Sequence, residues 1–309
     1  MIDRRAIYGQ FIQAYGKPVK RNERMSAHTT FGTGGEADLF IDTTDTGSLS
    51  RAIQLARELS FPYFVIGEGS NLLVSDAGFR GLIVRNCIPG LEVKGNMVTA
   101  GAGENLNRVV DYATGCALTG FEFAAGIWGT IGGAIYGNAG AFGSQISSIL
   151  DSAELMDKTG NLRWEDNAYF AFAYRHSKLK ETGEIVVRAR FRLEPGNKEA
   201  VSRRVDEIRE LRRGKHPIDP CSAGCFFKNL PTPDEPHGKL PAGRLLEEIG
   251  AKTMTVGGAG VFDRHANIII NRGGASSKDI RRLADMMKEK VKERFHVELE
   301  EEVICLGEF

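Results

Sequence analysis

The sequence predicts an α+β protein of two or three domains, on three observations. At 309 residues it is longer than a single core usually organises. Segments with the apolar period of a helix alternate with short strand-like runs, first as a small α/β unit and again in the last hundred residues. Between them lies the stretch Gly126 to Gly143, with seven glycines and no charge. Glycine is costly in regular elements but lets a backbone approach a flat group or a phosphate, so the stretch reads as a cofactor wall. A tight crossing of two packed layers is the other reading.

Ile7, Phe11 and Tyr15 recur at four-residue spacing and predict a short amphipathic helix over 3–15, followed by a basic, loop-like stretch to Met25. His28-Thr29-Thr30-Phe31-Gly32-Thr33-Gly34-Gly35 comes next, ahead of a strand at 37–41. Its G-x-G-x-x-A match opens no helix, so a Rossmann reading fails. A helix over 48–59, with Leu49, Ala52, Ile53 and Ala56 on one face, leads to a strand at 63–66. The turn after it, Gly67-Glu68-Gly69-Ser70-Asn71, has the shape of a pyrophosphate nest. A strand at 81–84 precedes a hairpin of 91–94 and 97–100 turning at Gly95-Asn96. The helix over 105–114 then buries Leu106, Val109, Val110 and Ala113 and delivers the chain to the glycine stretch.

Beyond that stretch, 153–156 and 162–164 pair as a hairpin. A long strand follows with Ile185, Val187, Ala189, Phe191 and Leu193 on one side and Arg188, Arg190 and Arg192 on a solvated other. A helix over 197–213 runs on Val201, Val205, Ile208 and Leu211, stops at Gly214 and Pro217, and marks a domain boundary. The rest reads as strand 224–227, helix 244–249, strand 267–270, a helix from Ser277 burying Ile280, Leu283, Met287 and Val291, and a final strand over 297–306.

Lys plus Arg and Asp plus Glu each number 40, so the chain has no overall field to gather polyanions, which argues against a nucleic-acid partner. No apolar run reaches the length of a membrane span and Met1-Ile2-Asp3-Arg4-Arg5 leads into no signal-type region, so the expected location is the cytoplasm. Cys87, Cys116, Cys221, Cys225 and Cys305 form no C-x-x-C pair and read as free thiols. Cys221 and Cys225 with His216 or His237 lack zinc spacing, and no metal site is expected.

Three places could carry chemistry. Arg175 lies among aromatic and small residues, in Phe172-Ala173-Tyr174-Arg175-His176-Ser177, and is either functional or part of a surface salt bridge. Cys225, in Ala223-Gly224-Cys225-Phe226-Phe227, is either a thiol presented at a cleft edge or a structural cysteine. Glu302 falls by strand alternation on the face of Ile304 and Leu306, where an unpaired carboxylate is costly and therefore a functional candidate.

Taken together, the Gly67-to-Asn71 turn, the 125–143 wall, Tyr174-Arg175, the segment Ala223 to Asn229 and Glu302 resemble the UDP-N-acetylenolpyruvoylglucosamine reductases, the MurB flavoenzymes of bacterial cell-wall synthesis. The resemblance runs from His28 to Val303 and is to the shorter form, which lacks a tyrosine-bearing loop over the substrate. It implies an α+β chain with an FAD-binding fold of the vanillyl-alcohol-oxidase (PCMH) type in two subdomains, 1–84 and 85–212, and a C-terminal α/β substrate-binding domain, 213–309. It further implies non-covalent FAD, NADPH as hydride donor, a UDP-sugar substrate and a monomer.

On the same resemblance Thr30, Gly67, Gly69, Ser70, Asn71 and Leu72 hold the cofactor from one side. Gly126, Gly129, Thr130, Gly132 and Gly133, with Asn138, Ala139 and Gly140, hold it from the other. Tyr174, Arg212, Lys215, Lys228 and Asn229 hold the substrate. Arg175 and a protonated Glu302 stabilise an enol-like intermediate after hydride reaches C3, and the residue at 225 gives a proton to C2. The family carries serine there and this chain carries Cys225; a thiol with pKa near ~8.5 is the stronger acid of the two. Two alternatives stand beside this: another FAD-dependent oxidase of the same fold, and a non-catalytic flavin- or nucleotide-binding homologue.

Overall fold

The structure, a computed structural model, describes residues 4–232 and 238–309, so Met1 to Asp3 and His237 lie outside the described residues. The chain divides into two compact units, each built from non-contiguous segments. Unit 1 takes the chain up to Asn22, Asp38–Glu68 and Gly81–Glu210; unit 2 takes Glu23–Ala37, Gly69–Arg80 and Leu211–Phe309.

Unit 1 has two cores. In the first, helices α1 (Arg4–Tyr15) and α2 (Thr46–Glu58) bury Phe11, Leu49 and Ile53, and Asp45 caps α2 by accepting from Ser48 N at 2.7 Å. They accompany a four-stranded sheet in the order Lys20–Arg24, Glu36–Thr43, Phe79–Asn86, Tyr63–Ile66. The basic stretch expected to be a loop is thus a strand. It sits at the sheet edge with exposed, charged side chains on both faces, so no apolar alternation announces it, and its charges suit an unpaired edge.

The second core lies under an antiparallel sheet ordered Leu162–Asp166, Leu150–Met156, Ile185–Arg192, Met97–Gly101, Leu91–Lys94. Helices α3 (Leu106–Gly115), α4 (Ile131–Tyr136) and α5 (Leu179–Thr182) contribute its other wall. The glycine stretch therefore contains a helix, which its composition did not suggest. The arginine row is a solvated face: Arg188 pairs with Glu154, Arg192 with Asp151, and Arg190 lies 4.0 Å over the Trp164 ring. Helix α6 (Lys198–Lys215) buries Val201, Val205 and Ile208 as expected, but Leu211 is 49% exposed. The apolar stripe ends one turn earlier than its spacing implies.

Unit 2 packs α7 (Ala242–Glu248) and α8 (Ser277–Phe295) against a three-stranded antiparallel sheet, Thr255–Val256, Ala259–Phe262 and His265–Asn271. Leu72–Val74 pairs in parallel with Ile304–Leu306. Two expected strands are shorter than the alternation implied. Residues 224–227 make only isolated bridges, Cys225 to Ile268 and Phe227 to Glu301, and of 297–306 only the last three residues form a strand. The alternation argument for Glu302 therefore lapses at the bend at Val303, and Glu302 is half-buried. Helix α8 begins with a capping box of Ser276 and Asp279. The Asp76 carboxylate adds a second cap, accepting from Ser277 N at 2.8 Å and Lys278 N at 2.9 Å.

Candidate active site

Within unit 1 the start of the Gly67 turn meets the glycine stretch. A Cβ on Gly67 would fall 2.4 Å from Thr130 Oγ1, so the turn after the strand Tyr63–Ile66 lies directly on the N-cap of α4. Asn105 Nδ2 reinforces the contact by donating to Glu68 Oε1 at 2.9 Å, and Asn105 itself bridges to Thr130.

The tight-crossing reading of the glycine wall applies at some positions and not at others. Gly132 and Gly140 are needed for packing: a Cβ on the first would press on Ala102 at 3.2 Å, and on the second on Ser144 O at 2.6 Å. Gly133 and Gly137 are not. They lie four residues apart on one face, where a Cβ would meet only Thr130 Oγ1 at 3.6 Å and Gly133 O at 3.5 Å respectively. Among the described residues no protein group fills the space beside them, and a bare surface at the start and end of α4 fits a flat, closely approaching group such as a flavin nucleotide. Gly126 and Gly129 adopt positive φ, and Asn107 Oδ1 accepts from Gly126 N at 2.6 Å. Asn138, expected to touch the cofactor, is wholly buried, with its amide bonded to Ala173 O and Ser147 N.

Arg175 occupies the tip of a two-residue turn closed by reciprocal 3.1 Å backbone hydrogen bonds between Ala173 and His176. Its φ is +55°, the left-handed region that costs a residue with a side chain about 1–2 kcal/mol. The surroundings hold it there. Lys180 Nζ donates to Arg175 O at 2.8 Å, Arg175 Nη2 donates to Gly140 O at 3.0 Å, and the guanidinium lies 5.2 Å over the Tyr174 ring. Arg175 is half-buried and bends back toward the glycine stretch through its bond to Gly140 O.

Unit 2 brings Cys225 and Glu302 onto neighbouring segments. Phe226 O accepts from Glu302 N at 2.8 Å on one side, and Phe226 N donates to Asn267 O at 2.8 Å on the other. Asn267, 1% exposed, fixes the middle: its Oδ1 accepts from Phe227 N at 2.9 Å and its Nδ2 donates to Phe227 O at 2.8 Å. Asn71 Nδ2 donates to Glu302 O at 3.0 Å, so Asn71 secures the Glu302 backbone. Arg281 and Lys288 hold the adjacent Glu301; its burial raises the carboxyl pKa, but their hydrogen bonds and charge leave it below its ordinary value. Thr30 Oγ1 donates to Ser222 O at 2.6 Å, ahead of Cys225. A Cβ on Gly69 would strike His28 O at 1.9 Å, and Leu72 is buried in its parallel pair.

Arg212 and Lys215 lie in the last turn of α6, Lys228 pairs with Glu300, and Asn229 Oδ1 accepts from Ala242 N at 3.2 Å at the start of α7. The His216 and His265 rings stand 5.8 Å apart. Burial first, then Arg212, His265 and Lys215, push the His216 pKa down to about 3, and burial with nearby Lys215 and Lys252 lowers that of His265. Sequence reasoning missed Asn267, Ser177, Lys180 and Asp76. Only Asn267 left a trace, as a polar residue opening the apolar run Ile268 to Ile270.

The family model described as an FAD binding domain matches residues 37–165, and that of the UDP-N-acetylenolpyruvoylglucosamine reductase C-terminal domain matches 216–306. The UDP-N-acetylenolpyruvoylglucosamine reductase of Caldanaerobacter subterraneus subsp. tengcongensis is 39% identical over 288 residues, covering 93% of each chain. That of Lachnoclostridium phytofermentans is 39% identical over 293 residues, 93% of this chain and 92% of the relative. Among solved structures, the MurB enzyme of Thermus caldophilus aligns at a TM-score of 0.79 with 33% identity, over 94% of this chain and 99% of that one. The glucose dehydrogenase Phl p 4.0202, at 14% identity and a TM-score of 0.50 over 62% of this chain and 44% of its own, shares the fold alone. The fold is thus an α+β fold whose FAD-binding part is of the vanillyl-alcohol-oxidase type. With both family domains present and the relatives aligned nearly end to end, this chain belongs to the UDP-N-acetylenolpyruvoylglucosamine reductase family.

Proposed function

We propose that the protein is an NADPH-dependent flavoenzyme that reduces UDP-N-acetylglucosamine enolpyruvate to UDP-N-acetylmuramate in peptidoglycan precursor synthesis. One observation carries this reading: an FAD-binding domain over 37–165 and the reductase-specific C-terminal domain over 216–306 stand in one chain. FAD, when bound, would supply the hydride-transfer chemistry that links NADPH to C3 of the enolpyruvyl ether. The bare face of Gly133 and Gly137 and the turn at Gly67 that abuts Thr130 support these segments as its seat.

The chain's own residues handle charge and proton. Arg175 supplies fixed positive charge for the negative charge that develops over C2 and its carboxylate, with its strained turn as supporting observation. Glu302, protonated, hydrogen-bonds the same oxygens, and Cys225 delivers a proton to C2 and remains on the enzyme as the thiolate. The hydrogen bond joining Glu302 N to Phe226 O supports a shared role for these two. Tyr174, Arg212, Lys215, Lys228 and Asn229 bind the sugar nucleotide, whose diphosphate suits the cationic end of α6. The subdomains 1–84 and 85–212 and the substrate domain 213–309 belong to the same reading, as does a monomer acting in the cytoplasm. Among the described residues no helix is long and apolar enough to cross a membrane.

The test is NADPH oxidation by the purified yellow protein under nitrogen, with and without UDP-N-acetylglucosamine enolpyruvate. Consumption beyond one flavin equivalent only with the sugar nucleotide is expected. Reduction that stops at one equivalent in both cases would refute the substrate assignment.

A further inference from the structure

Three hydrogen bonds in unit 1 join alternate residues of the glycine stretch to the arginine turn. Ser177 Oγ donates to Tyr136 O at 2.8 Å, Asn138 Nδ2 donates to Ala173 O at 2.9 Å, and Arg175 Nη2 donates to Gly140 O at 3.0 Å. Asn138 is the central member. It is 0% exposed, and both ends of its side-chain amide are bonded to protein backbone. Its Oδ1 accepts from Ser147 N at 3.0 Å, which fixes which end of the amide faces Ala173. It holds φ at +44°, a conformation that asparagine tolerates better than most residues.

The carbonyl that Asn138 grips also closes the Arg175 turn, since Ala173 O accepts from His176 N as well. Two donors on one carbonyl set both the shape of the turn and its placement on the glycine stretch. Arg175 meets the same stretch two residues further on, at Gly140.

We propose that Asn138 is a positioning residue for Arg175, acting through the Ala173 carbonyl to set the guanidinium for catalysis. This rests on the reading of Arg175 as the group that balances charge on the substrate. Asn138→Asp is nearly isosteric, keeps an acceptor for Ser147 N, and turns the donor facing Ala173 O into a second acceptor. A turn displaced by a fraction of an ångström costs rate without changing the groups present.

The experiment is a double-mutant cycle read in single turnovers of the FAD-loaded enzyme. Asn138→Asp is expected to slow reoxidation of the reduced enzyme by UDP-N-acetylglucosamine enolpyruvate roughly 10- to 100-fold, with bound FAD unchanged and flavin reduction by NADPH within about twofold. In an Arg175→Ala background the same change should alter reoxidation less than about twofold, because the residue it positions is gone. Equal slowing in both backgrounds, loss of FAD from Asn138→Asp, or a wild-type reoxidation rate in Asn138→Asp would overturn the proposal. If Arg175→Ala itself reoxidises at the wild-type rate, the reading of Arg175 fails and the proposal with it. Should Asn138→Asp not accumulate as folded protein, Ser177→Ala removes the flanking tether and enters the same cycle with the same expectations.

Discussion

Glu302 donates its backbone N–H to the carbonyl of Phe226 at 2.8 Å, so the carboxylate and the thiol of Cys225 are carried on adjoining segments of one hydrogen-bonded layer. Asn267 holds that layer from one side and the Arg281–Glu301 ion pair steadies it from the other. Neither chemical group hangs from a free loop.

Cys225→Ala removes the proposed proton donor. Reoxidation of the reduced enzyme by the enolpyruvyl substrate should slow by roughly 10²- to 10⁴-fold, with flavin reduction by NADPH little changed. Stopped-flow traces of the two half-reactions check this, and equal reoxidation rates for variant and parent would remove Cys225 from the mechanism. Cys225→Ser should restore most of the rate, since a hydroxyl also carries a transferable proton.

Glu302→Gln keeps the backbone bonds to Phe226 and Asn71 and removes only the acid. FAD content and flavin reduction should stay at parental levels while reoxidation falls at least about tenfold. A variant purified without FAD would instead assign Glu302 to structure.

Asn267→Ala strips the side-chain partners from both the N–H and the C=O of buried Phe227. Each unsatisfied group costs about 1–3 kcal/mol, so with two of them the variant should lose about 2–6 kcal/mol of stability. Urea titration followed by circular dichroism measures it; a loss under about 1 kcal/mol would show that water or a shifted chain replaces the amide.

His216 contributes to the pH dependence of unit 2. Its folded pKa lies at about 3, because burial first and Arg212, His265 and Lys215 next disfavour the imidazolium. The unfolded chain takes up that proton below a pH of about 6.5, so between about 6.5 and 3 the unfolded state binds more protons. Stability from this group is therefore complete above pH 6.5 and falls as the pH drops, by at most about 1.4 kcal/mol per unit. The difference in urea midpoint between pH 7.5 and 5.0 should shrink in His216→Gln; an identical difference in both proteins would place the acid sensitivity elsewhere.

Much of the fold was legible because local pattern carried it. The periods of Leu49 to Ala56 and Ile280 to Val291, the alternation of Val187, Ala189 and Phe191, and the turn at Gly95-Asn96 all specify elements that the structure contains. Where the pattern was absent or overridden, reading failed. The edge strand Lys20–Arg24 buries neither face, and the alternation through Glu302 stops at a bend set by bonds to Phe226 and Asn71.

The sequence by itself determined the family and the inventory of chemical groups, because glycine density, the Tyr174-Arg175 pair, Cys225 and Glu302 are properties of residue type and order. Tertiary structure alone decided what each group does locally. Asn138 bonds the Ala173 carbonyl of the turn, Arg175 itself bonds Gly140 O and accepts from Lys180 at a positive φ, and the N-terminus of α8 is capped by Asp76, 201 residues away along the chain from Ser277. Such contacts join segments far apart in sequence, and an amide or carboxylate spent on a distant backbone group leaves no periodicity to read.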